Sequence, residues 1–228
     1  LSGFEIGKIH FHLKGEYIEQ SAIGMILTGK SSSYHIDPKP RSCDFFDLKG
    51  IIENLCSLLH VEPISFSPSH LHNFHPNRQA VIMCKDSIIG SLGELHPRHN
   101  SELGIEQRIY FAEINVEELT PFIKQTPLVK PLISFPGSQR DWTITIEDKI
   151  PIGSILAIIN ANSSSLLEKI TVLDLYKSSQ IGKDRKNITF RLFYRDKTKT
   201  IALEAVEKEH SRIIETVMKE LEQLHILS

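Results

Sequence analysis

The chain has 228 residues, of which 40% are hydrophobic, a composition typical of a globular protein with one large or two modest domains. Its formal net charge of -2 excludes a protein coated in basic surface, so any contact with nucleic acid would need a local cationic patch. No apolar run approaches the roughly 18 residues of a membrane span, and the first residues lack the pattern of a signal peptide. We therefore expect a cytoplasmic protein without a membrane partner, and the start at Leu1 suggests a fragment of a longer chain.

The first half of the chain is predicted to form an antiparallel sheet. Residues 4–13, 22–29 and 108–114 carry strand-like apolar patterns, and residues 79–95 predict a hairpin around a Lys-Asp-Ser turn. The prolines of residues 31–42 make that stretch a loop.

Residues 44–60 predict the clearest helix of the chain. Asp44 stands where an N-cap or a first-turn acid belongs. The apolar residues recur at steps of three and four, which gives one apolar stripe: Phe45, Leu48, Ile52, Leu55 and Leu59. A shorter helical turn is predicted at residues 115–122, where acids are frequent.

Residues 1–125 contain no pattern that predicts catalysis. They lack a Gly-rich phosphate loop, paired acids at metal-binding spacing and an arginine clamp for ATP. His70, His72 and His75 are close in sequence, but no acid or cysteine cluster accompanies them, so we predict no metal site. The three cysteines lack metal-like spacing and are expected to be reduced structural thiols: Cys43, Cys56 and Cys84.

A proline-rich stretch at residues 126–137 predicts a linker between two domains, 1–125 and 138–228. After the linker the pattern changes to strand, helix, strand, strand, helix, strand. The predicted elements are 140–147, 152–161, 168–177, 186–195, 203–224 and 225–228. This βαββαβ order predicts a ferredoxin-like fold, in which two helices cover one face of a four-stranded antiparallel sheet. The fold class is therefore α+β.

Alternation assigns the side chains of the second domain to the two faces of its sheet. The helix-facing set is Trp142, Ile144, Ile146, Ile170, Val172, Ile188, Phe190, Leu192 and Tyr194. The set on the uncovered face is Asp141, Thr143, Thr145, Leu173, Leu175, Thr189, Arg191, Phe193 and Arg195. Arginines bind phosphates and stack on bases, and aromatic rings stack on unpaired bases, so this face is a candidate RNA surface. The same pattern also fits a solvated sheet face.

Basic residues are concentrated in the same region. Between Lys177 and Lys199 there are eight lysines and arginines but only two acids, a net charge of +6. Such a segment is typical of a local phosphate-binding patch on an otherwise acidic chain.

Several blocks of the sequence resemble the beta subunit of bacterial phenylalanyl-tRNA synthetase. Those in the first half are similar to its catalytic-like domain: 4-FEIGKIHF-11, 45-FFDLKGIIENL-55, 74-FHPNRQA-80 and 89-IGSLGELHP-97. Those in the second half are similar to its anticodon-binding domain: residues 135–155, residues 168–206, Glu209 and His210. The blocks cover nearly the whole chain in family order.

The resemblance implies an antiparallel, class II synthetase-like but non-catalytic domain followed by a ferredoxin-fold anticodon-binding domain. It implies a parent ligase of two alpha and two beta chains that uses ATP and magnesium to attach phenylalanine to tRNA(Phe). The catalytic residues would lie on the alpha subunit, so no cofactor or catalytic residue is expected on this chain. The expected partners are the alpha subunit and tRNA(Phe), and no DNA.

The residues expected to contact RNA combine the basic patch with the uncovered face: Arg140, Lys177, Lys183, Arg185, Lys186, Arg191, Phe193 and Arg195. Arg191 and Arg195 follow the family pattern, whereas Phe193 stands where the family tends to have a small hydroxyl residue. Ala202 and Leu203 replace the Thr-Asp pair with which the family usually begins the last helix. Tyr194 and His210 match the family and are expected to be structural.

Two alternatives remain at the level of sequence. Ferredoxin-like domains also bind small ligands such as amino acids, so the second domain could be a free-standing sensing module. The chain could also serve chiefly as an assembly surface, with weak RNA contacts in the absence of the alpha subunit.

Overall fold

The computed structural model describes residues 1–13, 15–32, 35–61, 63–124 and 134–226. The chain divides into two compact units, Leu1–Val129 and Lys130–Ser228, which we call unit 1 and unit 2. The predicted linker at 126–137 lies outside the described residues except for 134–137. No helix in the described part of the chain is both long and apolar enough to span a membrane.

Unit 1 is built on one antiparallel sheet of six strands in the order β1-β2-β6-β5-β4-β3. The strands are β1 (Ser2–Leu13), β2 (Glu16–Thr28), β3 (Ile64–Pro68), β4 (Phe74–Cys84), β5 (Ser87–Leu95) and β6 (Ile109–Asn115). The predicted strands at 4–13, 22–29 and 108–114 and the hairpin at 79–95 are therefore confirmed. β3 was not predicted from the sequence.

The described residues of unit 1 also form the helices α1 (Phe45–Leu58), α2 (Pro97–Glu102) and α3 (Val116–Leu119), the last followed by a 3-10 turn at Thr120–Phe122. Asp44 caps α1 as predicted, because its carboxylate accepts the N–H groups of Phe46 and Asp47 at 2.8 and 3.1 Å. The Asp47 carboxylate accepts the Asp44 N–H at 2.8 Å, which completes a capping box. α1 packs on the sheet through Leu48 and Ile52 of the predicted stripe, together with Cys56.

Unit 2 has a three-stranded antiparallel sheet among the described residues, in the order β7-β9-β8. Its elements are β7 (Ser138–Glu147), α4 (Ile152–Asn162), β8 (Leu167–Tyr176), β9 (Arg185–Tyr194) and α5 (Leu203–Ile226). The predicted fourth strand at 225–228 is wrong at 225 and 226, which belong to α5, and 227–228 lie outside the described residues.

The core of unit 2 confirms the predicted faces of β7 and β9. Both helices pack on the same side of the sheet, and the buried cluster is Ile144, Ile146, Ile155, Ile159, Ile188, Phe190, Leu192, Tyr194, Val206, Ile213 and Val217. Trp142 stacks on Phe190 with ring centroids 5.9 Å apart at the margin of this cluster. The opposite side of β7 and β9 remains uncovered within unit 2, since its side chains are exposed or half-buried.

β8 departs from the predicted alternation because it contains a bulge. The pairing with β9 shifts between Val172 and Asp174, so that Asp174 lies opposite Thr189 and Leu175 lies opposite Ile188. Paired residues in an antiparallel ladder share a face, so Leu175 belongs to the helix-facing side. The prediction that Leu175 lies on the uncovered face is therefore wrong, and Asp174 lies there instead.

A buried polar pair joins β9 to α5. The Tyr194 hydroxyl lies 2.9 Å from Nδ1 of His210, and both residues are buried. Burial raises the pKa of Tyr194 and lowers the pKa of His210, so both groups are held neutral. This supports the prediction that the two residues are structural.

Candidate nucleic-acid interface

The uncovered side of β7 and β9 is lined by polar side chains that bond across the two strands. Oγ1 of Thr143 lies 2.9 Å from Oγ1 of Thr189, and the Thr145 hydroxyl donates to Oδ1 of Asn187 at 2.8 Å. These residues are directly opposite each other in the strand register. The side chains of this surface are therefore already hydrogen-bonded, and a ligand meets an ordered polar row.

Arg191 belongs to the same row and is clamped by Asp141, its partner in the register. Its Nε and Nη2 donate to the two carboxylate oxygens at 2.7 Å each, a bidentate ion pair. These hydrogen bonds hold the pKa of Asp141 below its usual range. Asp141 therefore has a positioning role in the structure, since it fixes Arg191.

Phe193 and Arg195 follow Arg191 on the same face. The Arg195 guanidinium lies over the Phe193 ring, with its carbon 5.1 Å from the centroid, and its Nε is 2.8 Å from Glu168 Oε2. Gly137 also lies against the ring, because a Cβ added there would be 2.3 Å from it. Glycine is required at this point of the chain because of that close approach. The Phe193 ring is half-buried, so a base could stack on it only by displacing Arg195.

Lys177 and Lys186 both contact Asp148. Lys177 Nζ lies 2.5 Å from Asp148 Oδ1, while Lys186 Nζ donates to the Asp148 carbonyl at 2.7 Å. Lys186 is only 7% exposed, and burial lowers its pKa. Its predicted place among the RNA contacts is corrected to a structural one, because its ammonium group cannot reach a phosphate without leaving the interior.

Arg140 lies on the helix-facing side of β7, whose even-numbered residues point to the helices. Its Nε and Nη2 donate to Glu207 Oε1 on α5 at 2.8 and 2.7 Å, and its Nη1 donates to the Gln139 carbonyl at 2.8 Å. The sequence predicted that Arg140 contacts RNA. In the structure Arg140 instead links β7 to α5 through its ion pair with Glu207.

Lys183 and Arg185 complete the set, in and just after the turn between β8 and β9. Both are exposed, and neither forms an ion pair with any described residue. Lys197 and Lys199 follow the other end of β9, which at about 3.3 Å per residue is roughly 30 Å away. The segment with a net charge of +6 is thus split between two ends of the sheet and partly neutralised by acids from other elements.

Sequence reasoning missed these acidic partners. Asp148, Glu168 and Glu207 lie on a loop, a strand and a helix far from their partners in sequence, and only the fold brings them to the cations. Asp141 could have been found, because pairing β7 with β9 in the observed register places it opposite Arg191.

The histidine-rich turn of unit 1 is organised without a metal-like cluster. Nδ1 of His75 accepts the Asn77 N–H at 3.2 Å within the turn, and Nη1 of Arg78 donates to Glu94. Among the residues that the structure describes, no group of three or more His, Cys, Asp or Glu side chains is placed to hold a metal ion.

Two family models match the two units. The model described as the phenylalanyl-tRNA synthetase beta chain CLM domain matches residues 1–116. The model described as the ferredoxin-fold anticodon-binding domain matches residues 134–224.

Similar curated proteins include phenylalanine–tRNA ligase beta subunits. That of Protochlamydia amoebophila is 44% identical over 93% of this chain, and that of Clostridium acetobutylicum is 32% identical over 94%. The chain spans about a quarter of the length of these relatives, 27% and 26%. The solved structure of pyrrolysyl-tRNA synthetase from Desulfitobacterium hafniense aligns with a TM-score of 0.39 at 10% identity over 53% of this chain and 40% of that chain, which is too weak to assign a fold.

The family models match the two units in turn, and the relatives align over more than nine-tenths of the chain. The chain belongs to the phenylalanyl-tRNA synthetase beta chain family and carries a ferredoxin-fold anticodon-binding domain.

Proposed function

We propose that this chain is the C-terminal part of a phenylalanine–tRNA ligase beta subunit and acts in the cytoplasm. Unit 2 binds the anticodon region of tRNA(Phe), and unit 1 scaffolds the alpha subunit during ATP-dependent aminoacylation. ATP and magnesium are used by the parent enzyme, with the alpha subunit supplying the catalytic residues. The observation that carries the proposal is the match of both domain models in order along one chain.

The cations of unit 2 differ in whether a carboxylate is already bound to them, and this difference decides how each one would contact RNA. Lys183 and Arg185 are exposed and without a carboxylate partner among the described residues, so they can neutralise phosphates at no cost in broken ion pairs. Arg191 and Arg195 are also partly exposed, but each is paired with a carboxylate and must break that ion pair to bind a phosphate. We therefore infer that Lys183 and Arg185 provide affinity, while Arg191, Phe193 and Arg195 provide shape and register on the sheet.

The test compares two double variants that remove the same charge from opposite ends of β9. Lys183→Ala with Arg185→Ala is expected to weaken binding of tRNA(Phe) by about tenfold and to reduce the slope of log K against log salt by about 1.5. Lys197→Ala with Lys199→Ala is the matched control and should change both quantities much less. Equal effects of the two double variants would overturn this assignment, because they would show a diffuse charge effect.

A third variant probes the clamped arginine. Asp141→Asn keeps the size of the side chain but removes the charge that binds Arg191, so a phosphate no longer has to displace a carboxylate. We expect tighter tRNA binding and a steeper salt dependence. Weaker binding by Asp141→Asn would show that the ion pair must be intact for RNA to bind.

A further inference from the structure

Unit 1 contains an open cleft that plays no part in the proposed RNA contacts. It has a volume of about 680 Å³, within the range of small-molecule sites, and lies where the bulged start of β4, the end of β5, α2 and the segment before β6 meet. We call it the Glu94 cleft and define it by Arg78, Glu94, Asn100 and Arg108, all of which line it.

The wall of the Glu94 cleft holds a buried carboxylate between two guanidinium groups. The Glu94 side chain is only 6% exposed, and Nη1 of Arg78 donates to both of its oxygens at 2.9 Å. Nε of Arg108 lies 3.7 Å from the same carboxylate. Two cations around one anion leave a positive charge, and both guanidinium groups are partly open to solvent. Glu106 also lines the cleft but is exposed, so water and salt screen its charge.

Arg78 is held in place by an unusual start of β4. The pairing of β4 with β5 shifts between Phe74 and Gln79, so the residues between them bulge out of the ladder. The Gln79 side chain fixes this bulge by accepting the Leu71 N–H at 2.6 Å and donating to the His75 carbonyl at 3.3 Å. A fixed bulge presents the Arg78 guanidinium to the cleft with little loss of freedom on binding.

Asn100 supplies an acceptor that lacks a donor. Its Nδ2 donates to the Gln107 carbonyl at 2.8 Å, which fixes the orientation of the amide, since the reverse orientation would set two oxygens together. Its Oδ1 is buried and has no hydrogen-bond partner in the described part of the chain. A buried acceptor left unpaired is unfavourable, and a ligand donor in the cleft would satisfy it.

We propose that the Glu94 cleft binds a small molecule in which an oxyanion stands next to a hydrogen-bond donor. The free N–H groups of Arg108 and Arg78 donate to the oxyanion, and the ligand's donor bonds to Oδ1 of Asn100. Two sources share this chemistry: a free α-amino acid, with a carboxylate beside an ammonium group, and a phosphate monoester with a neighbouring hydroxyl. This proposal does not depend on RNA binding by unit 2.

The experiment titrates the intact chain separately with each standard amino acid and with glycerol 3-phosphate, and measures binding by calorimetry. Saturable binding at concentrations up to about 10 mM is expected for one of the two classes, and the class identifies the oxyanion. Arg108→Gln should weaken that binding about tenfold, because it removes a charged donor. Arg108 is chosen over Arg78, whose loss would leave Glu94 buried without its closest partner.

Arg98→Gln is the matched control, because Arg98 is an exposed arginine of α2 that pairs with Glu102 and does not line the cleft. It should leave binding unchanged. As a measurement independent of any variant, the side-chain amide signal of Asn100 should shift on saturation, while that of the exposed Asn54 on α1 should not. Absence of saturable binding by both classes, equal effects of Arg98→Gln and Arg108→Gln, or an unshifted Asn100 signal would overturn the proposal.

Discussion

Individual ion pairs decide which cations of unit 2 are free to meet a ligand. Asp148 holds Lys177 and Lys186, and Asp141 holds Arg191. These acids come from elements that the sequence separates from the basic segment, so a charge count along the chain overstates the positive potential of the surface. The relevant quantity is the number of phosphates that can be neutralised without breaking an ion pair.

In the Tyr194 and His210 pair, burial sets the charge state of both side chains. Burial lowers the pKa of His210 from its ordinary value near 6.5; the nearby Glu207 carboxylate acts in the opposite direction and Arg140 reinforces the lowering. An unfolded chain therefore binds a proton at a pH where the folded His210 stays neutral. Stability from this group is fully present above about pH 6.5 and is lost as the pH falls through the window below that value.

We predict that unit 2 becomes less stable as the pH falls below about 6.5, before the carboxylate pairs titrate. Trp142 is the only tryptophan of the chain and lies in unit 2, so its fluorescence reports the urea unfolding of that unit. His210→Gln should remove most of the pH dependence of the midpoint in this window. His60→Gln, in unit 1, is the control and should leave the pH dependence as it is in the unsubstituted chain. A pH dependence that survives in His210→Gln would contradict the argument.

Among the elements of unit 2, β8 and α5 show which features could be predicted from the sequence and which could not. Alternation predicted the faces of β7 and β9 correctly because the pairing between these two strands has no irregularity. It failed in β8, where one extra residue at the bulge reverses the faces that follow. The apolar pattern of β8 does not indicate this reversal. Leu173 and Leu175 are both exposed, so burial does not distinguish the two faces of the strand there.

The start of α5 at Leu203 was predicted correctly. The helix begins at Leu203, so Ala202 occupies the N-cap position and has no side-chain oxygen to accept a first-turn N–H. Ala202→Ser should therefore stabilise unit 2 by about 1 kcal/mol. The measurement is the urea midpoint from Trp142 fluorescence, and Thr200→Ala, two residues before the cap, should have little effect. A neutral or destabilising Ala202→Ser would show that the first turn is already satisfied by another group.

For the whole molecule, the order of the two units and most of their strands followed from periodicity, proline positions and turn residues. The predicted fourth strand of unit 2 did not, because a short apolar end after a long amphipathic helix fits a continued helix equally well. The Glu94 cleft could not be predicted either, since its charges meet only through a bulge in β4 and the loop before β6. Local sequence patterns therefore predicted the helices and strands. Both candidate sites, by contrast, are formed by contacts between residues that are distant in sequence.

Unit 1 also has an apolar surface that is not covered within the unit. Phe4 and Ile6 on β1 lie opposite Met25 and Ile23 of β2, which belong to the core-facing side of the sheet. α1 packs mainly against the middle strands β5 and β6, whereas β1 lies at the edge of the sheet beyond β2. Phe4 and Ile6 remain 76% and 63% exposed as a result. On the function proposed above, in which unit 1 scaffolds the alpha subunit, this exposed apolar edge is the part of unit 1 that we expect to contact it.

Phe4→Glu combined with Ile6→Glu should abolish co-elution of the chain with purified alpha subunit, because two charges would be buried at the contact without partners. The fold of unit 1 should persist, since both side chains are already exposed. Ile36→Glu is the matched control: Ile36 is a loop residue that is 81% exposed and lies outside the apolar edge. The affinity of the double variant for tRNA(Phe) should be unchanged, which separates assembly from RNA binding. If the double variant still co-elutes with the alpha subunit as the Ile36→Glu control does, β1 is not the docking edge.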